Sequence, residues 1–303
     1  MKADYLILLI ILSGILTPFL NYTTAYSYPD DFRLVDTYWG SIENPRRAYP
    51  GSSNILLYIE IVNNHNYTLQ SVSGELGLPT GFTDVNGNNI TVSTGYVRED
   101  DGIRRSIEPG ESFILTYTIS INYTVSPGIY YATLNLTYTY LNGSNLMEGS
   151  YIIDDVPLII SQYPSFNIVI KRVYWIAGEE YINATPGSRG LTLYIEIYNN
   201  STESIDSLDA YLKLSYPFTP SKVSSSATNI NARETVSLAF NDIGIDSRAY
   251  PGAYTVSLKL EYRFRGYGDA TKEYDETRNI IVRIGDPLEA GVVVVRTMWD
   301  NDM

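Results

Sequence analysis

The feature that most constrains this sequence is an internal repeat, because a structural unit made twice must bury the same face in each copy. Residues 50–64 read PGSSNILLYIEIVNN and residues 186–200 read PGSRGLTLYIEIYNN. Ten of these fifteen positions are identical, at a shift of 136 residues (186 − 50). Residues 127–138 (PGIYYATLNLTY) and 251–262 (PGAYTVSLKLEY) share six of twelve positions, at a shift of 124 residues (251 − 127). The chain therefore contains two copies of one unit.

Both copies have the period of a β-strand. In the first signature, apolar residues occupy alternate positions, and the second copy repeats them: Ile55, Leu57, Ile59 and Ile61, then Leu191, Leu193, Ile195 and Ile197. Pro-Gly and Asn-Gly pairs, which are typical of turns, separate such segments. Alternation with one buried face predicts an all-β chain of two tandem immunoglobulin-like or fibronectin III-like antiparallel sandwiches.

The repeat also predicts domain boundaries. We expect a signal peptide or N-terminal anchor at 1–27, one sandwich at 28–162 and a second at 163–286. Residues 287–303 match the first strand of a third repeat, since Trp299 aligns with Trp175 at a shift of 124 residues (299 − 175). An unpaired strand there could add to the sheet of a neighbouring subunit, or it could belong to a longer array.

The N-terminus predicts export. Lys2 precedes an apolar run from Tyr5 to Leu20, which is short for a membrane span and typical of a secretory signal. Ala25 and Ser27 fit a cleavage site. An uncleaved anchor is the alternative, and it would be the only contact with a membrane. Either alternative predicts an extracellular or cell-surface protein.

Composition excludes several function classes. The chain has 34 Asp and Glu against 21 Lys and Arg, and its net charge of −13 disfavours nucleic acid as a partner. It has no cysteine, so disulfides and thiolate metal sites are excluded. Eight Asn-x-Ser/Thr sequons beyond the leader are candidate glycosylation sites: Asn66, Asn89, Asn122, Asn135, Asn142, Asn183, Asn199 and Asn200.

Four aromatic residues are candidate structural markers. Trp39 and Trp175 stand at equivalent positions, 136 residues apart, before the Pro-Gly-Ser signature. Tyr130 and Tyr254 each follow a Pro-Gly-x turn and resemble the tyrosine corner of immunoglobulin-like sandwiches, in which the hydroxyl bonds to the preceding turn. Simple packing of these rings in the core is the alternative.

Together, these motifs resemble the repeated β-sandwich domains of archaeal S-layer and other surface proteins, a CARDB-like "S-layer domain" group. The resemblance covers roughly residues 30–303, and the tyrosine-rich, cysteine-free, sequon-rich composition is similar to that of Sulfolobales surface proteins, including their S-layer stalk subunit. It implies a cell-envelope protein without catalytic activity. The coiled coil and C-terminal anchor of that stalk subunit are not found in this sequence.

Residues that could carry chemistry are few. His65 is the only histidine, and its place in an Asn-rich turn predicts a solvated side chain. We expect no catalytic residue, no enzyme activity and no cofactor, with calcium as the alternative at Glu99, Asp100 and Asp101. The segment from Asp84 to Asn88 has the beginning of a calcium loop but predicts an Asn-Gly hairpin turn.

The sequence thus favours a non-catalytic spacer or array component of an archaeal-type surface layer. Its partners would be other envelope proteins or copies of itself. Two alternatives remain open, a glycan- or calcium-binding adhesion module and an accessory region of a secreted hydrolase.

Overall fold

The computed structural model describes residues 31–100 and 102–286, and this part of the chain is all-β. The prediction of an all-β fold with antiparallel, immunoglobulin-like sandwiches is confirmed. The leader, Asp101 and the predicted strand after residue 286 lie outside the described residues. Within the described part, no helix is long and apolar enough to cross a membrane.

The first repeat contains eleven strands: β1 (Phe32–Gly40), β2 (Pro45–Arg46), β3 (Ile55–Asn63), β4 (Leu69–Gly77), β5 (Phe82–Asp84), β6 (Ile90–Thr94), β7 (Val97–Glu99), β8 (Gly102–Arg104), β9 (Ser112–Ile121), β10 (Gly128–Asn142) and β11 (Asn145–Ile160). The second contains nine: β12 (Ile168–Ala177), β13 (Glu180–Ile182), β14 (Leu191–Asn199), β15 (Ile205–Lys213), β16 (Phe218–Thr219), β17 (Lys222–Ile230), β18 (Thr235–Ile245), β19 (Gly252–Arg265) and β20 (Thr271–Ile284). A 3₁₀ turn, Tyr267–Asp269, joins β19 to β20.

The two repeats have the same topology. In the first, a five-stranded sheet β2-β1-β3-β9-β5 faces a four-stranded sheet β11-β10-β4-β6. In the second, the orders are β13-β12-β14-β18-β16 and β17-β15-β19-β20. All strand pairs in these sheets are antiparallel. The first repeat adds a small hairpin, β7-β8, which partly explains why the shift between repeats falls from 136 to 124 residues.

Each repeat closes over its own core. Side chains from both sheets form one buried cluster in each sandwich, and the two clusters share no residue. The faces predicted from alternation are inside: Leu57 and Leu134 are at most 1% exposed, and Leu193 and Leu258 are fully buried. The period-2 pattern was therefore sufficient to identify the inner faces.

The predicted structural aromatics make matching bonds in both sandwiches. Trp39 Nε1 donates to the carbonyl of Ile159 at 2.9 Å, and Trp175 Nε1 donates to that of Arg283 at 2.9 Å. In chain order, each tryptophan thus links the first strand of its repeat to the last strand, and these two strands lie in opposite sheets.

The tyrosine corners are also present. Tyr130 OH donates to the carbonyl of Ser126 at 2.8 Å, and Tyr254 OH donates to that of Tyr250 at 2.6 Å. Each hydroxyl ties a strand to the turn four residues earlier. Both rings also pack against the cores, so each tyrosine combines the corner hydrogen bond with core packing.

The predicted Asn-Gly turn at Asp84 is present, since Gly87 N–H donates to the carbonyl of Asp84 at 3.1 Å and Asp84 N–H donates to that of Asn88 at 2.8 Å. The flanking strands do not pair with each other as a hairpin would require: β5 pairs with β9, whereas β6 pairs with β4 in the opposite sheet. Asp84 Oδ1 also accepts from the backbone N–H groups of Asn86 at 2.8 Å and Asn88 at 2.7 Å. These bonds hold the pKa of the carboxyl below its usual value and make a closed turn between sheets.

Candidate functional site at the joint between the sandwiches

The most specific constellation in the described residues joins the two sandwiches. The turn between β19 and β20 reaches the end of the first sandwich, where the Pro-Gly-Ser signature lies. Ser53 N–H donates to the carbonyl of Gly268 at 2.8 Å, and Ser52 Oγ donates to that of Tyr267 at 2.8 Å. Tyr267 OH in turn accepts from Leu56 N–H at 3.1 Å. The signature therefore receives a loop from the other copy.

Gly268 is the closest point of this contact. Its φ of +66° lies in the left-handed region, which favours glycine. A Cβ there would lie 2.2 Å from Ile55 Cγ2 and 2.6 Å from the carbonyl oxygen of Ser53. Since backbone and a core side chain border it, no larger residue fits without moving the two sandwiches apart.

Aromatic rings fill the joint beside this loop. Tyr49, 4% exposed, stacks on Tyr163 with ring centroids 5.2 Å apart and meets Phe264 edge-on at 5.3 Å. Tyr163 OH donates to the carbonyl of Pro50 at 2.6 Å. Burial raises the pKa of both Tyr49 and Tyr163, so both hydroxyls stay protonated at neutral pH.

The linker between the repeats is held in the same cluster. Phe166 packs against Phe264 at 6.1 Å and against Tyr274 at 5.2 Å. Tyr274 OH donates to the carbonyl of Pro164 at 2.5 Å. The linker is thus bonded to one sandwich while its Tyr163 is bonded to the other, which restricts bending at the joint.

A cleft of about 640 Å³ opens at the side of the joint. Three arginines and two acids are among the residues that line it: Arg46, Arg47, Arg265, Glu203 and Asp269. Arg47 pairs with Glu203 across the two sandwiches at 3.3 Å. The remaining charges are mixed in sign, so the cleft presents no single charge to a ligand.

Two of the three residues proposed for calcium, Glu99 and Asp100, are among the described residues. Glu99 Oε1 accepts from Arg104 Nε at 2.6 Å, so its carboxylate already has a cationic partner. Asp100 is exposed, and Asp101 lies outside the described residues. The described residues contain no group of three or more acidic or histidine side chains placed to hold a metal ion.

The prediction of a solvated His65 is wrong. Its side chain is 9% exposed and packs among Phe32, Tyr67 and Tyr138, with ring centroids 4.8–5.2 Å away. Nδ1 lies 3.7 Å from Asp31 Oδ1. Burial lowers the pKa of the imidazole, and Asp31 opposes this in part. Turn composition predicted solvent exposure but gave no sign of the aromatic side chains that close over the ring.

One glycosylation candidate is contradicted by its surroundings. Asn199 is 1% exposed, and its Nδ2 donates to the carbonyls of Glu203 at 2.9 Å and Asn231 at 3.0 Å. A glycan on this nitrogen would replace those bonds, so Asn199 is not accessible in the folded protein. Asn200 is half-buried, and the other six candidates are exposed: Asn66, Asn89, Asn122, Asn135, Asn142 and Asn183.

The outward tyrosines of β3 and β14 form ladders with a neighbouring strand. Tyr58 stacks on Tyr38 at 5.5 Å, and Tyr194 stacks on Tyr174 at 5.6 Å. Burial is the main reason that the pKa of Tyr38 rises to about 12. These rings are therefore engaged with each other across strands.

Sequence reasoning missed the joint. The turn Gly266–Ala270 belongs to one copy only, since the first copy has the two-residue turn Gly143-Ser144 at that place. A difference between otherwise similar repeats was the available signal, but it does not indicate which distant residues the turn would contact.

Fold and joint define the class: an all-β protein of immunoglobulin-like antiparallel sandwiches in series. No known family description matches the sequence, and no curated protein is significantly similar to it. Among solved structures, red sea bream transglutaminase aligns at 8% identity with a TM-score of 0.23, over 86% of this chain and 32% of its own length.

Two chaperones also align with the chain. The YadV chaperone does so at 10% identity with a TM-score of 0.21, over 80% of this chain and 100% of its own. The CupB2 chaperone of Pseudomonas aeruginosa aligns at 10% identity with a TM-score of 0.19, over 79% of this chain and 97% of its own.

Proposed function

We propose that this protein is a non-catalytic structural component of a cell envelope, and that it serves as a spacer or array component of an archaeal-type surface layer. The observation that carries the proposal is the joint. Sandwiches linked by flexible chain would not hold a fixed distance, whereas relative domain motion is restricted when a loop, a linker and an ion pair are all engaged. This chain has all three contacts in one place.

The surface fits the same function. Apart from Asn142, six sequon asparagines are exposed or half-buried, and they lie in both sandwiches. Glycans on them would keep a crowded outer layer hydrated without entering either core. The acidic net charge of −13 keeps neighbouring surfaces apart, since like-charged surfaces repel at short range.

Cell fractionation tests this function. In cells that produce the protein, we expect it in the envelope fraction, accessible to protease added to intact cells. Deletion of its gene should change the distance between membrane and outer layer in electron cryotomograms. A protein that stays inside protease-treated cells, or a deletion that leaves the envelope spacing unchanged, would contradict the proposal.

A further inference from the structure

We propose that this chain associates end to end with further copies of itself, by using a second time the type of contact that joins its own sandwiches. The inference deepens the array function and rests on it, because it names the partner as another copy of this chain. For clarity, the tip is the turn between the two longest strands of a sandwich. The socket is the Pro-Gly-Ser turn, with its flanking residues, at the opposite end.

The internal joint is one tip in one socket. The socket of the first sandwich, residues 49–55, offers the Ser53 N–H and the Ser52 hydroxyl. The tip of the second sandwich supplies the carbonyls of Tyr267 and Gly268 that accept them. Ser53 N–H to the carbonyl of Gly268 is the one backbone-to-backbone bond of this contact, and the hydroxyls of Ser52, Ser53 and Tyr267 make the others.

A second socket exists at the far end of the second sandwich, at residues 185–191. Ser188 Oγ accepts from Thr185 N–H at 3.2 Å, as Ser52 Oγ accepts from Tyr49 N–H at 3.1 Å. Ser52 is fully buried by the internal joint, whereas Ser188 is only half-buried. In the described part of the chain, the second socket has the same turn with no tip in it.

A second tip exists at the far end of the first sandwich. It is the two-residue turn Gly143-Ser144, which is shorter than the occupied tip, and its Gly143 has a φ of +62°, close to the +66° of Gly268. Beside it, Leu141 and Leu146 face each other across β10 and β11 and are 47% and 62% exposed. Met147 is 41% exposed. An apolar tip at the end of an acidic chain favours a buried partner over water.

The free tip and the free socket are different surfaces, so the contact is heterologous. Such contacts join subunits head to tail into rings or open chains. The free socket has Thr185 where the occupied one has Tyr49, which removes the stacked ring. We therefore expect an association weaker than the internal joint and dependent on concentration. Salt should strengthen it, because salt screens repulsion between acidic copies.

Sedimentation velocity of the full secreted chain over a range of concentrations tests the proposal. We expect the mean mass to rise with concentration, and Leu141→Asp/Leu146→Asp to abolish the rise. The matched control is Ile129→Asp/Ile159→Asp, a cross-strand pair on the same two strands with exposures of 58% and 53%, which should still associate. Equal behaviour of the two double variants, or a wild-type chain that stays monomeric, overturns the proposal.

Cross-linking locates the contact. Because the chain has no cysteine, a Ser144→Cys copy mixed with an Arg189→Cys copy should form a disulfide-linked heterodimer, and a copy with both changes should form a ladder. Ile129→Cys in place of Ser144→Cys should give neither product. Failure of the Ser144 and Arg189 pair to exceed this control overturns the proposal.

The proposal would also be overturned if something else covered the free socket or the free tip. Association that appears only when residues 287–303 are deleted would show that those residues cover the socket in the full chain. Complete glycosylation at Asn142, measured by mass spectrometry of the secreted protein, would block the tip. A monomeric chain that is still found in the envelope, with unchanged effect on its spacing, would refute end-to-end association and leave the spacer function standing.

Discussion

The two buried asparagines Asn63 and Asn199 end equivalent strands and hold equivalent turns. Asn63 Nδ2 donates to the carbonyls of Ile107 and Glu108, both at 3.2 Å, as Asn199 Nδ2 donates to two carbonyls in its own sandwich. Each Oδ1 accepts a backbone N–H two residues on. The repeated Asn-Asn pair is therefore explained by its first member, which satisfies backbone groups that a buried turn would otherwise leave unpaired.

Replacing Asn199 should be costly. Asn199→Asp puts an acceptor where two carbonyls need a donor, and buried polar groups left without partners cost about 1–3 kcal/mol each. We expect the free energy of unfolding to fall by about 2–4 kcal/mol in urea titrations. Asn200→Asp is the control, because Asn200 Oδ1 accepts from Arg233 and a carboxylate can do the same. Equal losses in the two variants would contradict this role.

His65 should make stability depend on pH. Its folded-state pKa is lowered by burial, so the unfolded chain takes up a proton at a higher pH than the folded protein does. Stability from the neutral ring is complete above about pH 6.5 and decreases as pH falls through the folded-state pKa. His65→Ser, which copies Ser201 of the second repeat, should flatten the dependence between pH 7.5 and 5.

Urea unfolding of wild type and of the His65→Ser variant at both pH values measures the effect, and the difference between the two proteins removes the contribution of the carboxylates. The nearby Asp31 works against the shift and should reduce its size. If the two proteins lose equal stability on acidification, the ring does not titrate as its burial requires.

At the scale of strands and turns, the internal repeat predicted the strands that both sandwiches share but not the turns that belong to one sandwich. Strands β3, β10 and their counterparts were identified with their inner faces, because period-2 alternation reports which side is buried. The hairpin β7-β8 and the tip at Gly268 were not identified. They belong to one copy each, and Gly268 contacts Ser53 more than 200 residues away in sequence. Contacts of that separation leave no periodic signal in the chain.

The tip should control the angle between the sandwiches. Gly268→Ala adds a Cβ 2.2 Å from Ile55 Cγ2, so the tip must leave the socket. We expect small-angle X-ray scattering to show a larger and more variable maximum dimension, with circular dichroism unchanged. Gly178→Ala is the control, since Gly178 has a φ of +63° and a Cβ there would meet nothing within 4 Å. A scattering profile of Gly268→Ala identical to that of Gly178→Ala would mean that this contact does not fix the joint.

For the whole molecule, the edge strands of the sheets help to decide where another chain can bind. The long strand β20 lies at an edge and carries many charged side chains, among them Lys272, Glu273, Asp275 and Glu276. The edge strand β11 has a bulge opposite Ala132 and Leu134 and contains Pro157. Charge, proline and bulges each discourage pairing with another chain. Association through the ends is consequently more compatible with this surface than association through the edges.

Because the two cores share no residue, each sandwich should unfold as its own unit. Leu57→Ala and Leu193→Ala remove equivalent side chains that are 1% and 0% exposed, and such changes typically cost 2–5 kcal/mol. We expect two calorimetric transitions. Leu57→Ala should lower one of them by at least about 8 °C and Leu193→Ala the other, with the untouched transition moving far less. A single transition that both variants lower equally would mean instead that the joint couples the sandwiches into one cooperative unit.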